Sequence, residues 1–307
     1  MGAGWTTGGV RARALLRRRL GVSGARRLAG CASLADAVIA LRQGPYRHDV
    51  QPGQELEEAE HAVTATLLWN LRVLAGWQPR AGAEVVRLLA GWFEIANTVD
   101  HARALVGHQA PRFYRLGTLA SAWPRLSVTS SPNELRAALT ASVWGDPGGS
   151  TAAAIAVAMP VAWADRICAA VPDAALWAAG RAAQLVARQR FLLGQELTAA
   201  VARRVARVLG ARALEAGSWV VFGRALQARA RWALAEVAEP AQLWRAETRW
   251  WVQVEREGFA LLRQPRFGVG SLVGCVAVLA ADAWRVRAAL QIAARGGREL
   301  ESFDALG

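Results

Sequence analysis

Ser33-Leu34-Ala35-Asp36-Ala37-Val38-Ile39-Ala40-Leu41-Arg42-Gln43-Gly44-Pro45-Tyr46 returns in altered form as Ser131-Pro132-Asn133-Glu134-Leu135-Arg136-Ala137-Ala138-Leu139-Thr140-Ala141-Ser142-Val143-Trp144. In both stretches a Ser stands where a helix N-cap belongs, an acid (Asp36 or Glu134) follows in the first turn, and a Leu falls eight positions after the Ser. An aromatic residue, Tyr46 or Trp144, falls thirteen after it. The hydroxyl of such a Ser accepts an orphan backbone N–H, and the carboxylate complements the positive end of the helix. One short helix is thus written twice, 98 positions apart. A third, weaker copy, Glu239-Pro240-Ala241-Gln242-Leu243-Trp244-Arg245-Ala246, starts 108 positions further on. A period near a hundred residues points to a tandemly duplicated domain rather than a solenoid, whose repeats run about 20–50 residues. The expected units are residues 1–108, 109–205 and 206–307.

Outward from the first copy, the apolar residues fall at helical spacing. Leu56, Ala59, Val63, Leu67, Leu71 and Leu74 form one stripe, and a broad apolar face runs from Glu84 to Val106. Further helices are expected over Thr151–Val171 with a kink at Pro160, Asp173–Phe191, Glu196–Arg212, Trp219–Val237, Pro240–Leu262 and Ser271–Arg295. Arg263 to Gly268 reads as a turn. No stretch alternates with period two, so the expected fold class is all-α.

At 307 residues with 53% apolar composition, the chain can bury one large core or several small ones. Its basic residues are all Arg, and the formal net charge is +13. Part of that excess reads as GC-rich codon usage; the remainder implies an acidic partner, a nucleic acid or an anionic membrane surface. Cys31, Cys168 and Cys275 are far apart in sequence and form no CxxC pair, which favours neither a zinc site nor a disulfide framework. The apolar runs Thr151–Ala164 and Leu272–Trp284, interrupted by Pro160 and Asp282, fall short of a membrane span.

Residue types that carry chemistry do not assemble in the sequence. His101 and His108 are seven apart rather than four, the Gly-rich stretches fit neither a P-loop nor a dinucleotide fingerprint, and no nucleophile elbow occurs. No catalytic, cofactor or metal site is therefore expected. Glu84, Glu94 and Asp100 read as acids on a solvated face. The fourteen tryptophans, among them Trp69, Trp92, Trp163, Trp177, Trp244 and Trp284, read mainly as core or interface residues. Arg11, Arg13, Arg17, Arg18 and Arg19 gather on the opening helix opposite Ala12, Leu15, Leu16 and Leu20, and are the candidate docking residues.

With these residues laid out, the chain resembles the C subunit of V/A-type ATPases, called subunit d in eukaryotes. Arg11-Ala12-Arg13-Ala14-Leu15 is similar to that family's opening R-x-R-a-l helix, and Ser33 to Tyr46 to its s-L-e-e-A-x-x-x-L-x-x-t-p-Y segment. Glu94-Ile95-Ala96-Asn97 with Arg103 resembles its D-x-x-N-x-x-x-x-x-R helix. Phe267-Gly268 and Asp282-Ala283-Trp284-Arg285-Val286-Arg287 resemble its f-g stretch and E-x-x-n-l-R helix. Gly44, Arg47, Asp282 and Arg285 depart from the pattern, and residues 150–235 match weakly. The resemblance implies three similar helical units around a pseudo-threefold axis, funnel-like, and a non-catalytic subunit of the central stalk. Such a rotor subunit couples the central-shaft subunits to the membrane proteolipid ring for ATP-linked ion or proton transport. It implies a cytoplasmic, peripheral location on the inner face of the cell membrane, where an anionic lipid surface is a further partner. The alternative is an Arg- and Trp-rich helical nucleic-acid-binding protein, for which the net charge of +13 is the main argument.

Overall fold

The computed structural model describes residues 3–109, 112–264 and 268–297. Among them every regular element is helical, and the chain is all-α. In chain order the α-helices are α1 (Ala3–Leu16), α2 (Gly21–Ala29), α3 (Leu34–Arg42), α4 (Leu56–Gly76), α5 (Arg80–Leu89), α6 (Gly91–Ala104), α7 (Trp123–Leu126) and α8 (Pro132–Thr140). Then follow α9 (Ala152–Ala170), α10 (Pro172–Ala187), α11 (Ala199–Leu209), α12 (Ala211–Glu215), α13 (Trp219–Ala225), α14 (Ala228–Arg231), α15 (Leu243–Leu262) and α16 (Val269–Ala294). A π-helical turn, Arg188–Leu192, prolongs α10.

Both copies of the repeated helix are capped as their residues dictate. The Asp36 N–H donates to Ser33 Oγ at 3.1 Å, and the Glu134 N–H donates to Ser131 Oγ at 3.2 Å. The third copy differs. Glu239 opens only a 3₁₀ turn, Pro240–Gln242, that runs directly into the long helix α15, and its side chain caps nothing there.

Three helices expected as continuous are broken. The opening helix ends at Leu16, which leaves Arg17, Arg18 and Arg19 in the turn before α2. The helix expected over Glu84–Val106 is two, α5 and α6. At the break a Cβ on Gly91 would stand 3.0 Å from the Trp163 ring and 3.2 Å from that of Trp144, so only glycine allows the indoles to close there. Trp219–Val237 is split because Leu226 and Gln227 are extended, which lets the Gln227 N–H reach the Leu209 carbonyl at 3.0 Å. Of the expected turn at Arg263–Gly268, residues Pro265, Arg266 and Phe267 lie outside the described residues.

The chain forms two compact units, Met1–Val86 with Trp251–Gly307, and Arg87–Trp250. The boundaries expected near 108 and 205 fall inside the second of these. In the first unit α16 is the central helix, packed on by α1, α2, α3 and α4, with Leu272, Val273, Cys275, Val278 and Leu290 buried along its length. Helix α15 approaches α16 so closely that a Cβ on Gly274 would lie 2.6 Å from the Gly258 carbonyl oxygen. In the second unit α9 is central, with α6, α10 and α11 against it. Ile95, Val99, Leu126, Leu135, Leu139, Trp144, Ile155 and Met159 close one core there.

Helices α9 and α16, of 19 and 26 residues, are long and apolar enough to cross a membrane by length and composition, which corrects the expectation that both runs fall short. Asp282 does not interrupt α16, because its carboxylate is satisfied by donors inside its own unit. Of the most apolar window of α16, 72% is buried among its own neighbours, the situation of a core helix.

Candidate functional site

The two copies of the repeated helix do the same work. Asp282, on α16 and 1% exposed, accepts the Leu20 N–H at 2.9 Å and the Gly21 N–H at 2.7 Å, and the Tyr46 hydroxyl donates to it at 2.8 Å. Glu94, on α6 and also 1% exposed, accepts the Ser121 N–H at 2.6 Å, the Ala122 N–H at 2.8 Å and the Trp144 indole N–H at 2.6 Å. In each case one carboxylate oxygen takes a single backbone N–H. The other takes the adjacent N–H together with the aromatic donor. Tyr46 and Trp144 are the residues thirteen after Ser33 and Ser131, so the spacing read from the sequence delivers the donor to the acid.

Neighbouring groups complete both clamps. Arg285, one turn after Asp282 and 3% exposed, pairs with Glu255 through Nη1 at 3.0 Å and Nη2 at 2.6 Å. Asn97, one turn after Glu94, donates to the Tyr114 carbonyl at 2.9 Å and accepts the Tyr114 N–H at 2.8 Å. Burial, and then the Asp282 charge, hold the Tyr46 hydroxyl well above the ordinary tyrosine value. Arg166 lies 5.2 Å from the Trp144 ring centre, and its burial lowers its pKa while Glu94 opposes the shift.

Glu94 was expected on a solvated face and is instead buried, because three donors from 121–144 converge on it. The other two acids of that expectation are on the surface, with Glu84 paired to Arg80 at 3.2 Å and Asp100 to Arg103 at 3.1 Å. A carboxylate with both oxygens held by fixed donors and no solvent access presents neither oxygen to a substrate. Its use is to fix a helix end and a loop against a long helix. The sequence showed the motif positions Glu94, Asn97, Asp282 and Arg285 only through the resemblance, since nothing local distinguishes an internal acid from one on a helix surface.

The second unit also contains a clamp of reversed polarity. Arg190 donates from Nη1 to the Ala213 carbonyl at 3.1 Å and from Nη2 to the Ala216 carbonyl at 2.9 Å. Directly after, Ser218 caps α13 by accepting the Val221 N–H at 3.4 Å. Here a cation grips carbonyls, whereas the other two clamps use an anion gripping N–H groups.

The five candidate arginines do not form one cluster on a helix. Arg11 is half-buried with its guanidinium 5.7 Å from the Trp77 ring centre. Arg19 donates to the Leu16 carbonyl at 3.3 Å and lies 5.0 Å from the Phe259 ring centre. Arg13 is exposed on α1, and Arg17 and Arg18 are exposed in the turn that follows. Ala12, Leu15 and Leu16 are buried, as the amphipathic reading requires. Among the six tryptophans singled out, Trp177 is buried, whereas Trp92 is 39% and Trp244 63% exposed, the latter with the Arg245 guanidinium 5.1 Å from its ring centre.

Among the described residues no three His, Cys, Asp or Glu come together as a metal site. His101 Nε2 lies 3.0 Å from Thr129 Oγ1, and His48 stacks on Trp69 with Nδ1 2.8 Å from Asp49. Neither known protein-family models nor curated proteins match the chain.

Proposed function

We propose that this chain is a non-catalytic rotor subunit of a V/A-type ATPase, seated on the membrane proteolipid ring and holding the central shaft. The observation that carries the reading is the clamp used twice, on Asp282 and on Glu94. Both acids occupy positions that the resemblance marks, and both are spent on joining helices rather than on chemistry. Torque transmission asks for stiffness, and buried, fully satisfied polar networks rigidify the helices they join. The Arg190 clamp supports a third unit of the same plan, as a pseudo-threefold, funnel-like arrangement requires.

In this reading Arg13, Arg17 and Arg18 face the membrane sector, with Arg11 and Arg19 partly engaged by Trp77 and Phe259. The test is reconstitution of the purified chain with a detergent-solubilised proteolipid ring and, separately, with the central-shaft subunits. Stable co-elution with both, weakened on the ring side when Arg17, Arg18 and Arg19 are changed to Gln, is the expected result. Co-elution with neither overturns the proposal. Association with nucleic acid instead, falling steeply as salt rises through counterion release, would favour the alternative.

A further inference from the structure

Three segments of the second unit meet at one surface. The Phe191 ring in the π-helical turn lies 6.0 Å from Trp219 and 5.2 Å from Phe222, both on α13. The Trp219 indole N–H donates to the Val237 carbonyl at 3.1 Å, and the turn Pro240–Gln242 packs on Arg188–Leu192. These pinned rings form a base from which neighbouring apolar side chains stand out: Leu192 is 48% exposed, Leu193 49%, Val220 55%, Val221 52% and Trp244 63%. Five such residues on, or within two positions of, three adjoining segments are a patch rather than scattered exposure. The π-helical turn itself is the kind of irregularity that is concentrated at functional sites, and here it directs two successive leucines outward.

The charge around the patch indicates what covers it. Residues 188–245 carry ten arginines against Glu196, Glu215, Glu236 and Glu239, and Glu236 is already paired with Arg249. Arg188 stands on the π-helical turn, Arg224 on α13, Arg212 on α12, which packs on α13, and Arg245 next to Trp244; all four are exposed, and their side chains make no hydrogen bond or ion pair among the described residues. Five apolar side chains are too few for a stable protein interface, which buries roughly 800 Å² per partner. They suit shallow insertion below lipid headgroups, where Trp sits at the interface and arginines reach the phosphates. We propose that Leu192, Leu193, Val220, Val221 and Trp244, rimmed by these four arginines, form a docking site for an anionic lipid bilayer.

This inference does not rest on the rotor reading, since it concerns the purified chain and lipid alone. The experiment is sedimentation with vesicles of phosphatidylcholine, with and without about one-third phosphatidylglycerol, on wild type and three variants. Wild type is expected to bind the anionic vesicles and not the neutral ones. Leu193→Glu with Val220→Glu should lower partitioning at least tenfold, and Arg188→Gln with Arg212→Gln and Arg224→Gln by about a hundredfold, given about fivefold per arginine near the surface. Bromine on the acyl chains should quench a component of the tryptophan fluorescence that Trp244→Phe removes. All substituted side chains are exposed, and an unchanged thermal transition verifies that each variant is folded. Absence of binding by wild type overturns the proposal. So does binding that survives the Glu variant undiminished, which would mean charge attraction at another surface.

Discussion

The Tyr46 hydroxyl donates to the Asp282 carboxylate at 2.8 Å across 236 positions of sequence. Both partners are buried, and the same oxygen accepts the Leu20 N–H, so loss of either partner strands polar groups away from water.

Removing the aromatic donors should therefore cost more than an exposed hydrogen bond does. Tyr46→Phe leaves an acceptor short of one partner and is expected to destabilise by about 1–3 kcal/mol in urea denaturation. Asp282→Ala strands two N–H groups and a hydroxyl and should cost more than Tyr46→Phe. The reverse order would show that the clamp contributes little to the first unit.

Alkaline unfolding should depend on the same pair. The Tyr46 pKa is raised in the folded chain, chiefly by burial and next by Asp282, so the stability it contributes is complete below the unfolded value near 10. It is lost as pH rises from there toward the folded value. Cys275, whose thiol burial pushes up to about 12, acts in the same sense from its own ordinary range upward. Unfolding free energy measured from pH 8 to 11 should fall for wild type and fall less for Tyr46→Phe. Equal slopes would exclude Tyr46 as a source of the loss.

The α15–α16 crossing should be intolerant of a single methyl group. Gly274→Ala places a Cβ 2.6 Å from the Gly258 carbonyl oxygen, and the helices must separate to admit it. Overpacking of this kind costs about 1–3 kcal/mol, enough to lower the melting temperature by several degrees. A variant that melts with wild type would mean that the crossing yields freely.

Charge and core can be separated at the end of α1. Arg17→Gln, Arg18→Gln and Arg19→Gln together remove three exposed positive charges and should leave the melting temperature nearly unchanged. Leu16→Asp puts an uncompensated carboxylate where the native side chain is 8% exposed and should unfold the first unit. Circular dichroism on heating distinguishes the two directly.

Much of this molecule was legible locally. The caps at Ser33 and Ser131, the stripe along α4 and the all-helical class follow from hydrogen-bonding and periodicity rules that act within one or two turns. What could not be read depends on distant partners. Glu94 has the neighbours of a surface acid until Ser121, Ala122 and Trp144 arrive from further along the chain. The break before Gly91 needs Trp144 and Trp163 in place, and Trp244, on an apolar stripe by spacing, is left uncovered by its own unit. The Arg190 contacts could not be read because the Ala213 and Ala216 carbonyls reach it from more than twenty positions along the chain.

The first unit is discontinuous in sequence, and that orders events during synthesis. All of Arg87–Trp250 is synthesised before α16 begins, so this contiguous piece can start to condense before the first unit is complete. Until Val269–Ala294 emerges, α1 to α4 present an open apolar cradle with the Leu20 and Gly21 N–H groups and the Tyr46 hydroxyl awaiting their acceptor. The nascent chain is thus most exposed to aggregation and chaperone capture over its N-terminal segment, and the arrival of Asp282 ends that interval.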